Sequence, residues 1–399
     1  MVDKGQQFSP WHSVVTFLRN LNLKTSRNPT IPPVPNQKTK VRHRFECALT
    51  NMTARTSHDF SLAWMGVLRQ GSGMRILTGW LSLCMCMGLP GAGSSTNADA
   101  GSPPLTSAPM RSDGDPQVAA LLDSVLLRVF NSGSGSNVVR RDQLAATLID
   151  LRNAHNPTSA SFRGDVQIYP ASVVKLFYLV ATHRWLEDGK LQAGAELDRA
   201  LERMIVDSWN EATHYVVDVL TDTTSGPELS GPVLETWWQK RNAVNRYFES
   251  LGYRQVVANR KPWCEGPFGR EKQSAVLHAP HRNLLTSRET AKLLSEIVGR
   301  RVVTPARCDA MMKLLARDPV PKPLDPESQV KGFVGEGLPS GAKLWSKAGW
   351  TSDTRHDAAY VELPSGRKFI LVVFITDHSA DEALIPGIAR DVVAGLDTR

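Results

Sequence analysis

Hydrophobic and polar positions follow helical and strand periods from about residue 115 onward. Period-two alternation and short apolar runs predict strands at 143–151, 162–168, from about 344, 357–363 and 368–376. Helical spacing predicts helices at 115–130, 172–187, 196–206, 210–220, 234–250, 288–298, 310–317 and 381–396. Strands at both ends with helices between them predict an α+β fold of the α/β/α sandwich kind. We expect an antiparallel sheet built from both chain ends, with an inserted all-helical subdomain.

The segment 169–175 opens an apolar run that is typical of a buried helix. Ser172 and Lys175 stand three residues apart, so they share one helix face. Burial disfavours the charged form of a lysine, and a neutral lysine can accept the proton of a neighbouring serine. The pair is therefore a candidate nucleophile and base. The alternative is a capping serine with a lysine whose ammonium reaches solvent.

Two further polar clusters follow in order. Ser208 and Asn210 flank Trp209 just before a helical run, and Lys347 and Gly349 flank Ala348 on a predicted strand. Taken singly, each has an ordinary explanation. Ser208 can cap a helix, and Lys347 can lie at a sheet edge beside a close-packing glycine. All three clusters in this order are much less expected by chance.

In this order the clusters resemble the S-x-x-K, S-D-N and K-T-G motifs of the penicillin-recognising serine hydrolases, most closely the class A β-lactamases. The resemblance spans about residues 115–395 and implies a β-lactamase/transpeptidase-like fold. Trp209 departs from the usual Asp, and Ala348 from the usual Thr or Ser. The second departure removes a hydroxyl that in the family helps to hold the substrate carboxylate. The short interval between Ser172 and Ser208 implies a trimmed helical subdomain.

The resemblance implies an acyl-enzyme mechanism with a role for each motif residue. Ser172 is the expected nucleophile, and its own backbone N–H forms part of the oxyanion hole. Lys175 is the expected general base. Ser208 passes a proton to the leaving nitrogen, and Lys347 polarises Ser208 and attracts a substrate carboxylate.

The same resemblance implies substrate-binding residues. Asn210 is expected to hold the acyl side-chain amide, and Trp350, which follows Gly349, to give the second oxyanion N–H. Arg355 is a candidate for carboxylate binding where Ala348 lacks a hydroxyl. Thr351 or Ser352 is expected to add a hydroxyl at that end of the site.

Deacylation in class A β-lactamases uses a glutamate that activates water. Glu271 is the first candidate by its distance from Asn283, and Glu265 is the second, although neither stands in the family's E-x-x-L-N context. The alternative is that both are solvated loop carboxylates. The foremost function is β-lactam hydrolysis. The alternatives are a penicillin-binding D-alanyl-D-alanine peptidase or esterase, and a non-catalytic module that binds a lactam or a cell-wall fragment.

Composition limits the partners. The formal charge is +8, but residues 1–73 carry ten Lys/Arg and three Asp/Glu, so the rest of the chain is nearly neutral and gives no nucleic-acid footprint. No His/Cys spacing typical of a metal site is present, and we expect neither a metal nor a cofactor. A small-molecule lactam, peptide or ester is the expected partner of a monomer. Cys264 and Cys308 are able to pair in an oxidising compartment.

The N-terminal third divides into three segments before the hydrolase domain, which we place at 115–399. Residues 1–73 are a basic, mostly disordered extension or an over-extended gene start. Residues 74–100 have the shape of a signal peptide, with Arg75, about fourteen mostly apolar residues and an A-x-A end. Residues 101–114 are a linker. We therefore expect an exported protein, periplasmic or secreted, that meets the membrane only through its export signal; a lipid anchor at Cys84 is the lesser alternative.

Overall fold

The computed structural model describes residues 113–132, 138–153, 155–320 and 328–398. The predicted extension, the signal peptide and most of the linker lie outside these residues. Within them, an antiparallel sheet has the strand order β1-β3-β2-β7-β6-β5-β4. The strands are β1 (Asp113–Gly114), β2 (Leu144–Asp150), β3 (Thr158–Phe162), β4 (Ala316–Arg317), β5 (Lys343–Trp350), β6 (Thr354–Glu362) and β7 (Lys368–Thr376).

Helices cover both faces of this sheet. They are α1 (Pro116–Ser132), α2 (Lys175–Glu187), α3 (Ala195–Ile205), α4 (Asn210–Thr221), α5 (Gly231–Arg241), α6 (Ala243–Ser250), α7 (Gly269–Leu277), α8 (Ser287–Val298), α9 (Pro305–Leu315) and α10 (Leu384–Asp397). Three 3₁₀ turns occupy Arg141–Gln143, Ala171–Val174 and Val334–Gly337. No helix in the described ranges is both long and apolar enough to cross a membrane.

The predicted α+β architecture is confirmed. The two ends of the domain meet where β2 pairs with β7, with Thr147 opposite Val372 near the middle of the register. The helices α2 to α9 are inserted between β3 and the short β4, and the strands β5, β6 and β7 follow. Thus the sheet is built from both ends of the domain, and the helical insertion supplies one wall of the site.

Each sheet face has its own core, and β7 contributes to both. Ile370, Val372 and Phe374 point into the core formed with α2, α3, α4 and α8. Phe369, Leu371, Val373 and Ile375 point into the core formed with α1 and α10. Because both faces are covered, β7 is apolar without interruption from Phe369 to Ile375, as expected for a doubly buried strand. The sheet is therefore a rigid base for the site residues on β5.

Two predicted elements have different boundaries in the structure. The predicted strand 162–168 is wrong, because the strand is Thr158–Phe162 and ends where Arg163 adopts a left-handed φ of 52°. The predicted helix 234–250 is two helices that meet at Asn242. The Asn242 carboxamide oxygen accepts hydrogen bonds from Asn245 and Asn259, each at 2.8 Å. Asparagine side chains that bond locally in this way compete with helical hydrogen bonding.

A further helix and an earlier helix start were missed. Residues 269–273, read as loop, belong to α7, which begins at Gly269 with a φ of 51°. A Cβ on Gly269 would lie 2.0 Å from the carbonyl oxygen of Gly226, so this position requires glycine for both reasons. Helix α9 begins at Pro305 rather than at residue 310, with proline in the first turn, where its missing N–H costs nothing.

Both cysteines of the domain are free thiols. Cys264 is exposed, and Cys308, which belongs to α9, is fully buried in the core. The two therefore form no disulfide, and the pairing that the sequence left open does not occur in this structure.

Candidate active site

Ser172 lies in the 3₁₀ turn Ala171–Val174, which leads directly into α2. The preceding residue, Ala171, has a φ of 45°, a left-handed conformation that is uncommon and costly for a residue with a Cβ. Among the described residues, none forms a hydrogen bond with Ser172 Oγ. Ser172 as a whole residue is half-buried.

Strand β5 lies directly against this turn at Gly349. A Cβ on Gly349 would lie 2.7 Å from Ser172 N and 2.9 Å from both Pro170 O and Val173 N. Only glycine fits such a close approach of strand and turn. Gly349 thus brings β5 to the serine backbone, as the resemblance predicts for the strand that completes an oxyanion hole.

Lys175 is the first residue of α2 and is completely buried. Its Nζ donates to the carbonyl oxygen of Ser208 at 2.6 Å, to Asn210 Oδ1 at 2.9 Å and to Ser208 Oγ at 3.3 Å. All three acceptors are neutral. Burial therefore dominates and lowers the pKa of Lys175 to about 7, although the negative charge of Glu211 acts in the opposite direction.

Ser208 joins the two lysines of the site. Its Oγ accepts from Lys175 Nζ at 3.3 Å and from Lys347 Nζ at 2.9 Å. A hydroxyl has two acceptor sites and one proton, so this arrangement leaves the O–H free to donate toward a substrate. The backbone of Ser208 is left-handed, with a φ of 58°. This conformation lets both its carbonyl and its hydroxyl face Lys175.

Lys347 on β5 is also completely buried. Besides Ser208 Oγ, its Nζ donates to Gln329 Oε1 at 2.5 Å and to the carbonyl oxygen of Ala348 at 2.7 Å. Its pKa is held well below the usual value, first by burial and then by the positive charges of Lys175 and Arg317, while Asp357 opposes the shift. As for Lys175, no carboxylate among the described residues forms an ion pair or a hydrogen bond with it.

Asn210 and Trp209 form the helical wall of the site. Asn210 Oδ1 binds Lys175, and Asn210 Nδ2 faces Cys264 Sγ at 3.8 Å, so the amide N–H₂ points toward the loop before α7. Trp209 is 41% exposed, and the guanidinium of Arg203 lies 5.4 Å from its ring centroid. Where the family usually has an acidic side chain, this chain therefore presents an aromatic surface. The alternative explanation of Ser208 as a helix cap does not hold, because the N-cap residue of α4 is Trp209, which makes no side-chain cap bond.

The remaining substrate-binding candidates lie at the end of β5 and β6 where the turn 351–353 joins the two strands. The ring centroids of Trp350 and Phe333 lie 5.5 Å apart, and the guanidinium carbon of Arg355 lies 4.9 Å from the Phe333 ring centroid. Arg355 Nε donates to Ser379 O at 2.8 Å, and its Nη2 donates to Glu382 Oε1 at 3.4 Å.

Thr351 Oγ1 accepts from Asp353 N and Thr354 N in the β5–β6 turn. None of these side chains forms a hydrogen bond with the lysines or with Ser208. Ala348 is buried in the core beneath α10.

Glu271 lies in a different cluster. Its carboxylate binds Arg241 at 2.8 and 3.2 Å, Ser225 Oγ at 3.0 Å and Lys261 at 3.3 Å, and it is 3% exposed. Asp218 binds the same two cations at 3.0 and 2.6 Å. Both oxygens of Glu271 are therefore occupied by buried cations. Neither Glu271 nor the exposed Glu265 contacts Ser172 or the lysines within the described residues.

The structure thus brings one group of predicted residues together and leaves others apart. Hydrogen bonds join Lys175, Ser208, Asn210 and Lys347, and the close approach of Gly349 attaches Ser172 to this group. Arg355, Thr351 and Glu271 each bind other partners. Their proposed roles stay predictions.

The sequence interpretation missed two buried residues beside Lys347. Gln329 binds Lys347 directly, and nothing in its surroundings in the sequence, next to a proline-rich loop, indicates this. Asp357 lies opposite Ala348 on β6 and is completely buried, and burial raises its pKa to about 7. In the sequence Asp357 directly precedes the apolar residues Ala358–Val361 of the predicted strand, and this is a signal that the sequence did offer.

A third missed residue supports the nucleophile turn from below. His356 is completely buried, and its Nε2 donates to Tyr169 O at 2.9 Å while its Nδ1 accepts from Ile375 N at 3.0 Å. Burial lowers its pKa to about 4, so the ring is neutral and both nitrogens are satisfied. His356 therefore ties the segment before Ser172 to the sheet. No group of three or more His, Cys, Asp or Glu residues in the described ranges is placed to hold a metal ion.

Comparisons with known proteins concern the family and the fold of the chain. The model of the β-lactamase enzyme family matches residues 137–396. A variant of the TLA-1 extended-spectrum β-lactamase has a TM-score of 0.52 at 12% identity, covering 70% of this chain and 99% of that chain. A variant of PBP-A, in an acyl-enzyme complex with penicillin G, has a TM-score of 0.50 at 17% identity, covering 70% and 97%. A β-lactamase from Sphaerobacter thermophilus has a TM-score of 0.48 at 19% identity, covering 71% and 98%. No curated protein matches the chain.

The fold and the joined serine–lysine–serine–lysine group define a serine hydrolase of the β-lactamase and penicillin-binding superfamily. The family model covers more than half of the chain. The chain therefore belongs to the β-lactamase enzyme family.

The ion pairs of Glu271 predict a structural rather than a catalytic effect of its replacement. Glu271→Gln leaves Arg241 and Lys261 buried with one carboxylate instead of two, and removing one partner of a buried pair typically costs about 3–5 kcal/mol. We expect a loss of this order in the free energy of unfolding, measured by urea denaturation. The rate at which an acyl-enzyme is hydrolysed should stay within about twofold in protein that is still folded. An unchanged stability with a greatly slowed hydrolysis would instead make Glu271 the deacylation base.

Proposed function

We propose that this protein is a β-lactam-hydrolysing enzyme that forms an acyl-enzyme at Ser172. The observation that carries the proposal is the buried pair of lysines that share Ser208, because it supplies a base and a proton donor on either side of one reacting carbonyl. At neutral pH about half of the Lys175 side chains are neutral, given a pKa of about 7. A neutral lysine next to a serine is the required base.

Acylation then proceeds with each proton accounted for. Lys175 Nζ takes the proton from Ser172 Oγ as that oxygen bonds to the lactam carbonyl carbon. The carbonyl oxygen becomes an oxyanion, which the backbone N–H groups of Ser172 and Trp350 stabilise. When the C–N bond breaks, Ser208 gives its proton to the leaving nitrogen, and Lys175 returns a proton to Ser208 along their hydrogen bond. Lys175 is neutral again, and the acyl group stays on Ser172.

Deacylation requires a base for water, and Glu271 is engaged elsewhere. Lys175, neutral after acylation, is the group that we assign to this step. It takes one proton from water, the hydroxide attacks the ester carbonyl, and Lys175 returns the proton to the departing Ser172 oxygen. Substrate carboxylates are held by the positive charge of Lys347. Arg355 and Thr351, beside the turn that joins β5 to β6, add to this binding.

A second function is favoured by the same ion pairs of Glu271. Without a free carboxylate, hydrolysis of a β-lactam acyl-enzyme is expected to be slow, and the protein would then act as a penicillin-binding D-alanyl-D-alanine peptidase or an esterase. PBP-A, one of the similar structures, is described in an acyl-enzyme complex with penicillin G. Both functions share acylation at Ser172. We further propose that the protein is exported by the segment 74–100 and acts as a monomer.

Intact-protein mass spectrometry with benzylpenicillin, sampled from seconds to hours, tests the proposal. A transient adduct with accumulating hydrolysed drug is the expected result. A persistent adduct would support the peptidase or esterase alternative. Ser172→Ala is the control and should abolish the adduct completely. Absence of any adduct on the wild-type protein, or an equal adduct on Ser172→Ala, would contradict acylation at this serine.

The pKa of Lys175 predicts the pH dependence of acylation. Only neutral Lys175 accepts the serine proton, so the acylation rate should rise with pH, with a midpoint near 7, and level off above it. Lys175→Arg keeps a permanent charge and should reduce the rate by about 10²–10⁴-fold at every pH. The exposed Lys190→Arg is the matched control and should behave like wild type. A pH-independent rate between pH 5.5 and 9, measured by stopped-flow labelling, would refute Lys175 as the base.

A further inference from the structure

Gln329 links the two walls of the active site through a single carboxamide. Its Oε1 accepts from Lys347 Nζ at 2.5 Å and from Ala348 N at 3.3 Å on β5. Its Nε2 donates to the carbonyl oxygens of Ile205 and Val206 at 3.1 and 2.8 Å, at the end of α3 and just before Ser208. Gln329 is 4% exposed, and its carboxamide forms these four hydrogen bonds with protein atoms.

The surroundings allow only one orientation of this carboxamide. Lys347 Nζ and Ala348 N are donors, whereas Ile205 O and Val206 O are acceptors. A flipped amide would set N–H₂ against two donors and oxygen against two carbonyls. The Ser208 backbone and the Lys347 side chain are therefore held in one relative position, in which Lys347 Nζ reaches Ser208 Oγ at 2.9 Å.

Gln329 is also a neutral acceptor for Lys347. A charged acceptor at this position would change the protonation of the lysine. The charged groups that act on Lys347 are Lys175 from α2, Arg317 from β4 and Asp357 from β6, and its hydrogen-bond acceptors are the Ser208 hydroxyl, the Ala348 carbonyl oxygen and Gln329. A carboxylate in contact with the ammonium would favour the protonated form of Lys347. The carboxamide orients the lysine without adding negative charge.

We propose that Gln329 is a positioning residue for acylation, which sets Lys347 against Ser208 by joining the chain before Ser208 to β5 through a neutral amide. The inference rests on the proposed function for its kinetic consequence only. Its structural consequence, the protonation state of Lys347, is measurable in the absence of any substrate.

Two variants separate the positioning role from a purely structural one. Gln329→Met keeps the size of the side chain and removes all four hydrogen bonds. Gln329→Glu keeps an oxygen for Lys347 but adds charge. Gln143→Met is the matched control, because Gln143 is a similarly buried glutamine, 3% exposed, whose partners are Arg140, Asp377 and His378 and none of the site residues.

Two measurements are made on all four proteins between pH 5.5 and 9.5. One is the rate constant for covalent labelling by a fluorescent penicillin. The other is the NMR titration of Lys347 in protein with ¹³C-labelled lysine. We expect labelling of Gln329→Met to be slowed by about 10- to 100-fold, as for a misplaced catalytic group. In Gln329→Glu the Lys347 titration should move up by about one pH unit or more.

Gln143→Met should match wild type in both measurements after correction for the folded fraction. The inference is overturned if Gln329→Glu leaves the Lys347 titration unchanged, or if Gln329→Met labels no more slowly than Gln143→Met. If no labelling occurs even with wild type, the proposed function fails. The Lys347 titration in Gln329→Glu then still decides the inference, which is upheld if the midpoint moves and overturned if it does not.

Discussion

The burial of two lysine side chains without a carboxylate partner is the constraint on which this site depends. Transfer of an ammonium group from water into a protein interior is costly unless a counter-ion accompanies it, and the usual outcome is a shift toward the neutral amine. Lys175 and Lys347 are both fully buried and bind only neutral oxygens. Burial thus lowers the pKa of both amines that contact Ser208.

The same domain contains a second buried cluster in which charges are balanced. Arg241 and Lys261 are paired with Asp218 and Glu271, so two cations face two anions. This cluster lies on the helical subdomain. It joins Asp218 of α4 and Arg241 of α5 to Lys261 in the loop after α6 and to Glu271 of α7. The two clusters differ in their charge balance. Ion pairs stabilise the helical wall, whereas Lys175 and Lys347 form hydrogen bonds to neutral acceptors and are available for proton transfer.

Rigid surroundings hold the unpaired lysines in place. Two non-glycine residues with left-handed backbones, Ala171 and Ser208, immediately precede or form part of the site. Such conformations persist only where the surrounding structure determines them, and they concentrate at functional sites. The doubly covered sheet supplies that support through Gly349 and His356. Gln329 adds a link across the two walls.

Much of this arrangement was predictable from sequence, and the exceptions have physical causes. The doubly buried β7, the largely apolar α2 and the three polar motifs were evident because periodicity and spacing report burial and local geometry directly. The break at Asn242 and the strand end at Arg163 depend on one side-chain bond and one backbone angle, which no period encodes. The contacts of Gln329 and Glu271 are long-range, so a reading along the chain placed Glu271 in a loop beside the reaction and overlooked Gln329.

The central claim is that Lys175 is a neutral base at physiological pH, and a direct titration tests it best. Protein with ¹³C-labelled lysine, with the Lys175 signal assigned from its loss in Lys175→Arg, should show a midpoint near 7 for this residue. The reference is a lysine in a short model peptide, whose ordinary pKa is about 10.4. A midpoint for Lys175 at that ordinary value would mean that the ammonium stays charged, and the account of how Ser172 is activated would be wrong.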